Sequence, residues 1–419
     1  MRILWIANFT FPEAQALLTG KGSHKTSGGW LLGAANALVQ LHDVELSIAS
    51  LSTKVDKITK LVGERITYFL LPYGTGNCRE NHDYEPLWRV VRDTVNPDVV
   101  HIHGTEYTHG LAYINACGVK NVCVSIQGLV SVYSNYYYSG LTRFDIRSSA
   151  TPASIVRKSI LDGYRDFKRR GKCEIELIKR VHHIIGRTSW DRAHSWAINP
   201  NAIYHHGGEI LRQEFYNGPS WSYEECAPHS IFISQAGMPI KGLHQVLKAM
   251  PWVLSHFPDT TIRVAGYDIS RNGGWKERIK LSDYGAIVKK LINKYKLKQS
   301  ITFTGPLDGE GMKKEYLRCN VFICPSSIEN SPNSLGEAQI LGVPVLASYV
   351  GGVMDMMYGD ESHLYRFEEV EMLAYLICDF FAKKDTINTE CMREEARRRH
   401  DPRSIVSELL DIYESIIER

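Results

Sequence analysis

Several classes are excluded by what the chain lacks. None of its nine cysteines stands in a C-x-x-C pair and several fall in apolar runs. They read as reduced core residues rather than a zinc site, a redox motif or a disulfide framework. No apolar run approaches the roughly 20 residues of a membrane span, and Met1-Arg2-Ile3-Leu4-Trp5-Ile6-Ala7 leads into a strand rather than reading as a signal peptide. A formal charge of +3 over 419 residues carries no global field for nucleic acid. There is no H-E-x-x-H and no Asp-x-Asp clamp, so no metal is expected. The sequence predicts a soluble cytoplasmic protein, with at most a peripheral seat on a membrane.

What is present is a rhythm. Short apolar runs (Ile3–Ala7, Val44–Ala49, Thr67–Leu71, Val99–His103, Val122–Ile126, Ile184–Gly186) alternate with helix-length amphipathic stretches such as Trp30–Leu41, Leu87–Val95 and Tyr107–Ala116. That alternation predicts α/β architecture with mostly parallel sheets covered by helices on both faces. A turn-prone break from Asn199-Pro200 to Pro228 precedes a second series: Ile231–Ser234, Thr261–Ala265, Ile301–Thr304, Val321–Cys324 and Val343–Ala347. The length and the break predict two doubly wound, Rossmann-like domains. The expected division is 1–205 plus 403–419 against 206–402, with Ile405, Leu409, Ile412 and Ile416 forming the docking face of a closing helix.

Two superficial motifs fail. The Gly20-Lys21-Gly22-Ser23-His24-Lys25-Thr26 stretch lacks the glycine spacing of a P-loop and the third glycine of a dinucleotide fingerprint. His101, His103 and His109 cluster near a strand end, but Val99, Val100 and Ile102 account for that strand without a metal.

The most specific signal is Ser326-Ser327-Ile328-Glu329-Asn330-Ser331-Pro332-Asn333-Ser334-Leu335-Gly336-Glu337-Ala338, in which two carboxylates have seven residues between them. The strand Val321–Cys324 ends just before Glu329 and a helix start is expected between the acids, which puts both at the carboxyl edge of a parallel sheet, where open α/β folds bind ligands. The N–H groups of Asn333, Ser334 and Leu335 at that helix start suit a diphosphate, and Ser331 and Pro332 lead into the same donor site. Glu329 suits sugar hydroxyls and Glu337 ribose hydroxyls. Lys241, before Gly242, is placed to neutralise phosphate. Gly305, Pro306 and Leu307 end another strand, where a backbone wall could meet a flat base. Gly28 and Gly29 precede a helix, a second anion site. Solvated acids, a surface lysine and loops needing positive φ are the plainer readings of the same residues.

Together these pieces resemble the retaining glycosyltransferases of family 4, the glycosyl transferases group 1 family, most strongly from Ile231 to Asp355. Lys241-Gly242, Phe303-Thr304-Gly305-Pro306, Pro325-Ser326-Ser327, the spaced glutamates and Gly342-Val343-Pro344-Val345 keep the family's order. The first half matches through Gly28-Gly29 and Pro97 to Gly104. The resemblance implies GT-B architecture, two domains facing each other across a cleft, with the last helix crossing back to the first domain. It implies a nucleotide-diphosphate sugar as donor, an acceptor hydroxyl, retention at the anomeric carbon and no cofactor. Glu329 would contact the donor sugar, Glu337 the ribose, Lys241 the leaving diphosphate, and Gly28-Gly29 phosphate and acceptor. Two departures stand out. Ala236 occupies the place of a common arginine, for which Arg187 is the expected substitute. Gln127 stands where many members have histidine.

Tyr133 to Leu141 is rich in tyrosine, and Arg157 to Arg180 holds nine basic and four acidic residues. Aromatic rings suit sugar faces and basic helices suit anionic headgroups, so a saccharide or polyprenyl-diphosphate-linked acceptor at the inner membrane face is the expectation. A core role for the tyrosines with a solvated basic face is the alternative. An epimerase of the same fold, or a non-catalytic sugar-nucleotide binder, is the alternative function.

Overall fold

A computed structural model describes residues 1–20, 29–41, 43–73, 85–156, 159–271, 280–357, 359, 363–383 and 389–418. Gly28 and the stretch from Lys21 to Thr26 lie outside these described residues, as do Arg157 and Lys158. The chain divides into two compact units, one of Met1–Ser131, Lys168–Leu211 and His400–Arg419, the other of Val132–Phe167 and Arg212–Arg399.

The first unit holds β1 (Arg2–Ala7), β2 (Glu45–Ser52), β3 (Thr59–Val62), β4 (Ile66–Pro72), β5 (Val99–His103), β6 (Val122–Ser125), β7 (His183–Gly186) and β8 (Ile203–His206) in one sheet of order β3-β4-β2-β1-β5-β6-β7-β8. All neighbours are parallel except β3 and β4. Central β1 pairs Ile3 with Leu46 on one side and Val99 on the other, and residues 3–7 are essentially inaccessible. That burial on both faces explains the continuous apolar run. The edge strands β3 and β8 escape the sequence reading because half-buried edges carry residues such as Lys60, His205 and His206.

The closing helix Pro402–Ile417 starts where the Asp401 carboxylate accepts from the Ser404 amide at 2.8 Å, with proline in the first turn. It packs on β5 and on the helix Gly29–Leu38 of the same unit. Tyr413 fixes it there. Its hydroxyl accepts from Trp5 Nε1 at 2.9 Å and meets His101 Nδ1 at 2.6 Å. The hydroxyl proton therefore goes to Nδ1, and His101 Nε2–H donates to Ser125 Oγ. Burial pushes the His101 imidazole down to about 3, so it is neutral.

The second unit holds β9 (Ser230–Ile233), β10 (Thr261–Val264), β11 (Ile301–Phe303), β12 (Val321–Cys324), β13 (Val345–Ser348) and β14 (Leu364–Tyr365), parallel throughout in the order β11-β10-β9-β12-β13-β14. One grouping differs from the sequence expectation. Residues 132–167 join this unit instead of the first, and the unit limits fall at 211/212 and 399/400. The reason is burial. Tyr137, Leu141, Ile146 and Ile160 enter the core that contains Ile231, Leu247 and Ile262. Thr151 Oγ1 donates to the Leu281 carbonyl at 2.6 Å, and the Ile160 amide to Asp283 at 2.7 Å. The tyrosine-rich segment is thus largely structural. Tyr137 packs edge-on against Phe167 and Tyr138 stacks on Tyr164, while Tyr136 is exposed.

Candidate functional site

In the second unit the loop after β12 carries Glu329 and the loop after β9 carries Lys241, so neighbouring strands deliver both to one carboxyl edge. Lys241 Nζ lies 2.6 Å from Glu329 Oε1, and Ser326 Oγ donates to the same oxygen at 2.7 Å. Burial alone would pull the Lys241 ammonium down, but the adjacent Glu329 carboxylate more than offsets this and raises it. Two glycines make the arrangement possible. Gly242, at φ 72°, packs its backbone against the Pro325 carbonyl where a Cβ would collide, and Gly351, at φ 53°, does the same against the Glu329 carbonyl. The Gly352 amide then donates to Glu329 O at 3.0 Å, and Ser327 N to Ile240 O at 2.8 Å. Ser139 Oγ, from the tyrosine-rich segment, meets Ser327 Oγ at 2.9 Å.

The helix Asn333–Ile340 starts at Pro332 with no side-chain cap, leaving its first amides to outside acceptors. Ser331, Pro332, Asn333 and Ser334 are half-buried, Leu335 is fully buried, and Asn333 Oδ1 is buried without a partner among the described residues. Tyr316 ties down this turn by donating to the Ser334 carbonyl at 2.9 Å. Glu337, one turn on, does not stand open. Arg212 Nε and Nη2 each donate to it at 2.7 Å, a bidentate pair, while the guanidinium lies over the Phe215 ring. Burial raises the Glu337 carboxyl and Arg212 opposes the rise. Beyond β11, Gly305 (φ 79°) bridges to Gly266, leaving Pro306 exposed and Leu307 half-buried at the same edge.

Residues 228–399 match the family described as glycosyl transferases group 1. These residues form a glycosyl transferases group 1 domain. An uncharacterized glycosyltransferase of Bacillus subtilis (strain 168), YqgM, is 28% identical over 182 residues, 43% of this chain and 47% of that protein. The phosphatidylinositol N-acetylglucosaminyltransferase gpi3 subunit of Schizosaccharomyces pombe is 20% identical over 337 residues, 79% of this chain and 64% of that protein. The chain thus matches about half the length of the first and under two thirds of the second. Sucrose-phosphate synthase from Thermosynechococcus elongatus superposes with a TM-score of 0.71 at 16% identity, covering 99% of both chains. The Anabaena protein HepE, solved with UDP and glucose, does so at 0.64 and 14% identity over 99% of this chain and 100% of its own. At these identities the likeness is one of fold, and the fold is GT-B.

Lys241, Glu329, Glu337, residues 331–335 and residues 305–307 therefore all lie in the group 1 domain, along the carboxyl edge of one sheet. Gln127, Arg187 and Gly29 belong to the first unit. There Gln127 follows β6, Arg187 follows β7 and Glu209 follows β8, and all three line a cavity of about 40 Å³ with Trp5, Trp30 and His103. Arg187 is no free cation. Its Nη1 lies 2.5 Å from Glu209 Oε1 with both side chains buried, and Nη2 donates to the Ile126 carbonyl at 3.0 Å. Gly29 opens the helix Gly29–Leu38. Arg212 and Ser326 are the residues of the second unit that sequence reasoning missed. Ser326 lay inside the acidic motif, whereas nothing in the sequence linked Arg212 to a glutamate 125 positions on.

Proposed function

We propose that the chain is a glycosyltransferase that moves a sugar from a UDP- or GDP-sugar to an acceptor hydroxyl, with retention at the anomeric carbon and without a metal. The observation that carries this is the Lys241–Glu329 pair, held 2.6 Å apart beside an uncapped helix N-terminus within the group 1 domain. Diphosphate departure needs positive charge where negative charge grows, and the Lys241 ammonium with the amides of Asn333 and Ser334 supplies it. The bond from the anomeric carbon to the phosphate oxygen breaks with its electron pair going to the diphosphate. The acceptor oxygen bonds to the same face, and its proton passes to the departing phosphate. Glu329 is the acceptor for sugar hydroxyls. Glu337 takes ribose hydroxyls on the lone pairs that Arg212 leaves open, since a carboxylate has about four acceptor sites. The flat edge at Gly305, Pro306 and Leu307 receives the base.

The acceptor we favour is a saccharide, free or carried on a polyprenyl diphosphate, which places the enzyme in surface polysaccharide or glycolipid synthesis. The basic face of the helix Ile160–Arg180 supports a peripheral seat on anionic membrane. Among the described residues no helix is long and apolar enough to cross a membrane. Incubation with UDP-, GDP- and ADP-sugars, with and without a saccharide mixture, tests the proposal by release of free nucleoside diphosphate. Acceptor-dependent release with any donor supports it. Donor conversion without acceptor would indicate an epimerase, and binding without conversion a sensor.

A further inference from the structure

The carboxyl edge of the first sheet holds a carboxylate that nothing above uses. After β5 the chain turns through Gly104, at φ 88°, and Glu106 folds back so that its carboxylate covers the α-carbon of that glycine. A Cβ on Gly104 would overlap Glu106 Oε2 and lie 3.6 Å from Gln127 Cγ, so Glu106 and Gln127 flank the same glycine at the ends of β5 and β6. Glu106 Oε2 is buried and has no hydrogen-bond partner among the described residues. At the end of β5, three residues before Glu106, His103 is 5% exposed, both of its ring nitrogens are likewise unpartnered among the described residues, and it lines the cavity with Gln127. Unpaired buried polar groups are costly, and a site that keeps two of them is shaped for a polar guest.

We propose that Glu106, backed by His103, binds hydroxyl groups of the acceptor's sugar ring and selects an uncharged or amino sugar there over a phosphate. This rests on the glycosyltransferase reading above. A neutral imidazole offers one donor and one acceptor, and a carboxylate offers acceptors only, a set that matches neighbouring hydroxyls. The charged groups around the carboxylate are Glu174 and Arg170 on the helix Ile160–Arg180 and Arg187 at the end of β7, the last already matched by Glu209. Three carboxylates thus stand against two guanidinium groups, a local field that disfavours an anion. Glu174 itself is fully engaged by Thr105, the Val130 and Ser131 amides and the Ser131 hydroxyl, so Glu106 is the carboxylate left for a guest. On its own segment, burial holds His103 and His109 neutral. Burial, with the nearby Glu174, lifts the Glu106 carboxyl to about 7, so its charge changes in the physiological range.

The test is saturation-transfer NMR titration of the full chain with methyl α-glucopyranoside, methyl α-mannopyranoside, methyl α-galactopyranoside and methyl α-2-amino-2-deoxyglucopyranoside, against inorganic phosphate. Wild-type protein should bind at least one glycoside and bind it more tightly as the pH rises from about 6 to 8. Glu106→Gln should weaken that binding about tenfold and flatten its pH dependence, with Glu106→Asp recovering part of it and nucleoside-diphosphate affinity unchanged. Absence of glycoside binding, preference for phosphate, or an unaltered pH profile in Glu106→Gln overturns the assignment. Nucleotide release from the donor panel is scored separately. Its absence with Glu106-dependent glycoside binding removes the transferase reading alone, and its presence without Glu106 dependence removes Glu106 alone.

Discussion

Lys241 and Glu329 come from loops 88 residues apart and meet at 2.6 Å, and the two glycines that make room for them, Gly242 and Gly351, follow one and approach the other. The pair is internally neutral, so it can wait in a largely dry edge without an uncompensated charge. A diphosphate arriving beside it meets an ammonium already oriented, which is what leaving-group stabilisation requires.

Glu329→Gln keeps the shape of the side chain and removes its charge. Loss of one transition-state hydrogen bond of about 1.4 kcal/mol lowers turnover at least about tenfold. Steady-state release of nucleoside diphosphate measures this, and wild-type turnover in the variant would take Glu329 out of the sugar site.

Gly351→Ala should act on activity through Glu329. The residue would need a positive φ, at roughly 1–2 kcal/mol, and its Cβ would push against the Glu329 carbonyl. Donor turnover should fall more than the melting temperature. Alanine at Gly20, where φ is 66° but a Cβ would meet no atom within 4 Å among the described residues, is the control that carries the backbone cost alone.

Arg212→Met leaves Glu337 buried without its bidentate partner, and breaking a buried pair costs about 3–5 kcal/mol. Urea titration should show a loss of that size. Adding Glu337→Leu should restore much of the stability while donor binding stays lost, which separates the structural role of the pair from the ribose role of Glu337. Full donor affinity in the double variant would contradict that ribose role.

Tyr413→Phe removes an acceptor from Trp5 and a donor from His101, two buried partners at once. A cost of roughly 1–3 kcal/mol is expected, read as earlier proteolysis of the C-terminal helix. Equal protease resistance in the variant would show that apolar packing alone docks the helix.

Acid should destabilise the fold through its buried histidines. Burial lowers His101 to about 3 and His109 and His244 to about 4. Between the ordinary histidine value of about 6.5 and those values, the unfolded chain binds protons that the native chain does not, so stability rises with pH there. The contribution is complete above about pH 6.5 and is lost progressively as pH falls toward 4 and 3. Urea midpoints measured from pH 7.5 to 4.5 should fall, and His244→Gln should fall less steeply.

The central strands and the acidic motif were legible because burial on both faces enforces apolar runs and because a strand end followed by a helix start fixes where the ligand edge lies. Lys241 and Glu329 were named from sequence for the same reason: each sits at a fixed step beyond its own strand. Arg187 shows the limit. Its place at a strand end was legible, but its charge is spent on Glu209, a partner from the next strand that no local pattern announces.

The sequence alone therefore determined two α/β series, the positions of their strand ends and the residue types standing there, since all of these follow from periodicity and local backbone preference. Tertiary structure alone decided the partners: Arg212 on Glu337, Glu209 on Arg187, Tyr413 between Trp5 and His101, residues 132–167 in the second core, and Glu106 folded over Gly104. Pairings between distant segments depend on which loops converge once the sheets are built, and that convergence is set by packing rather than by any window of the chain.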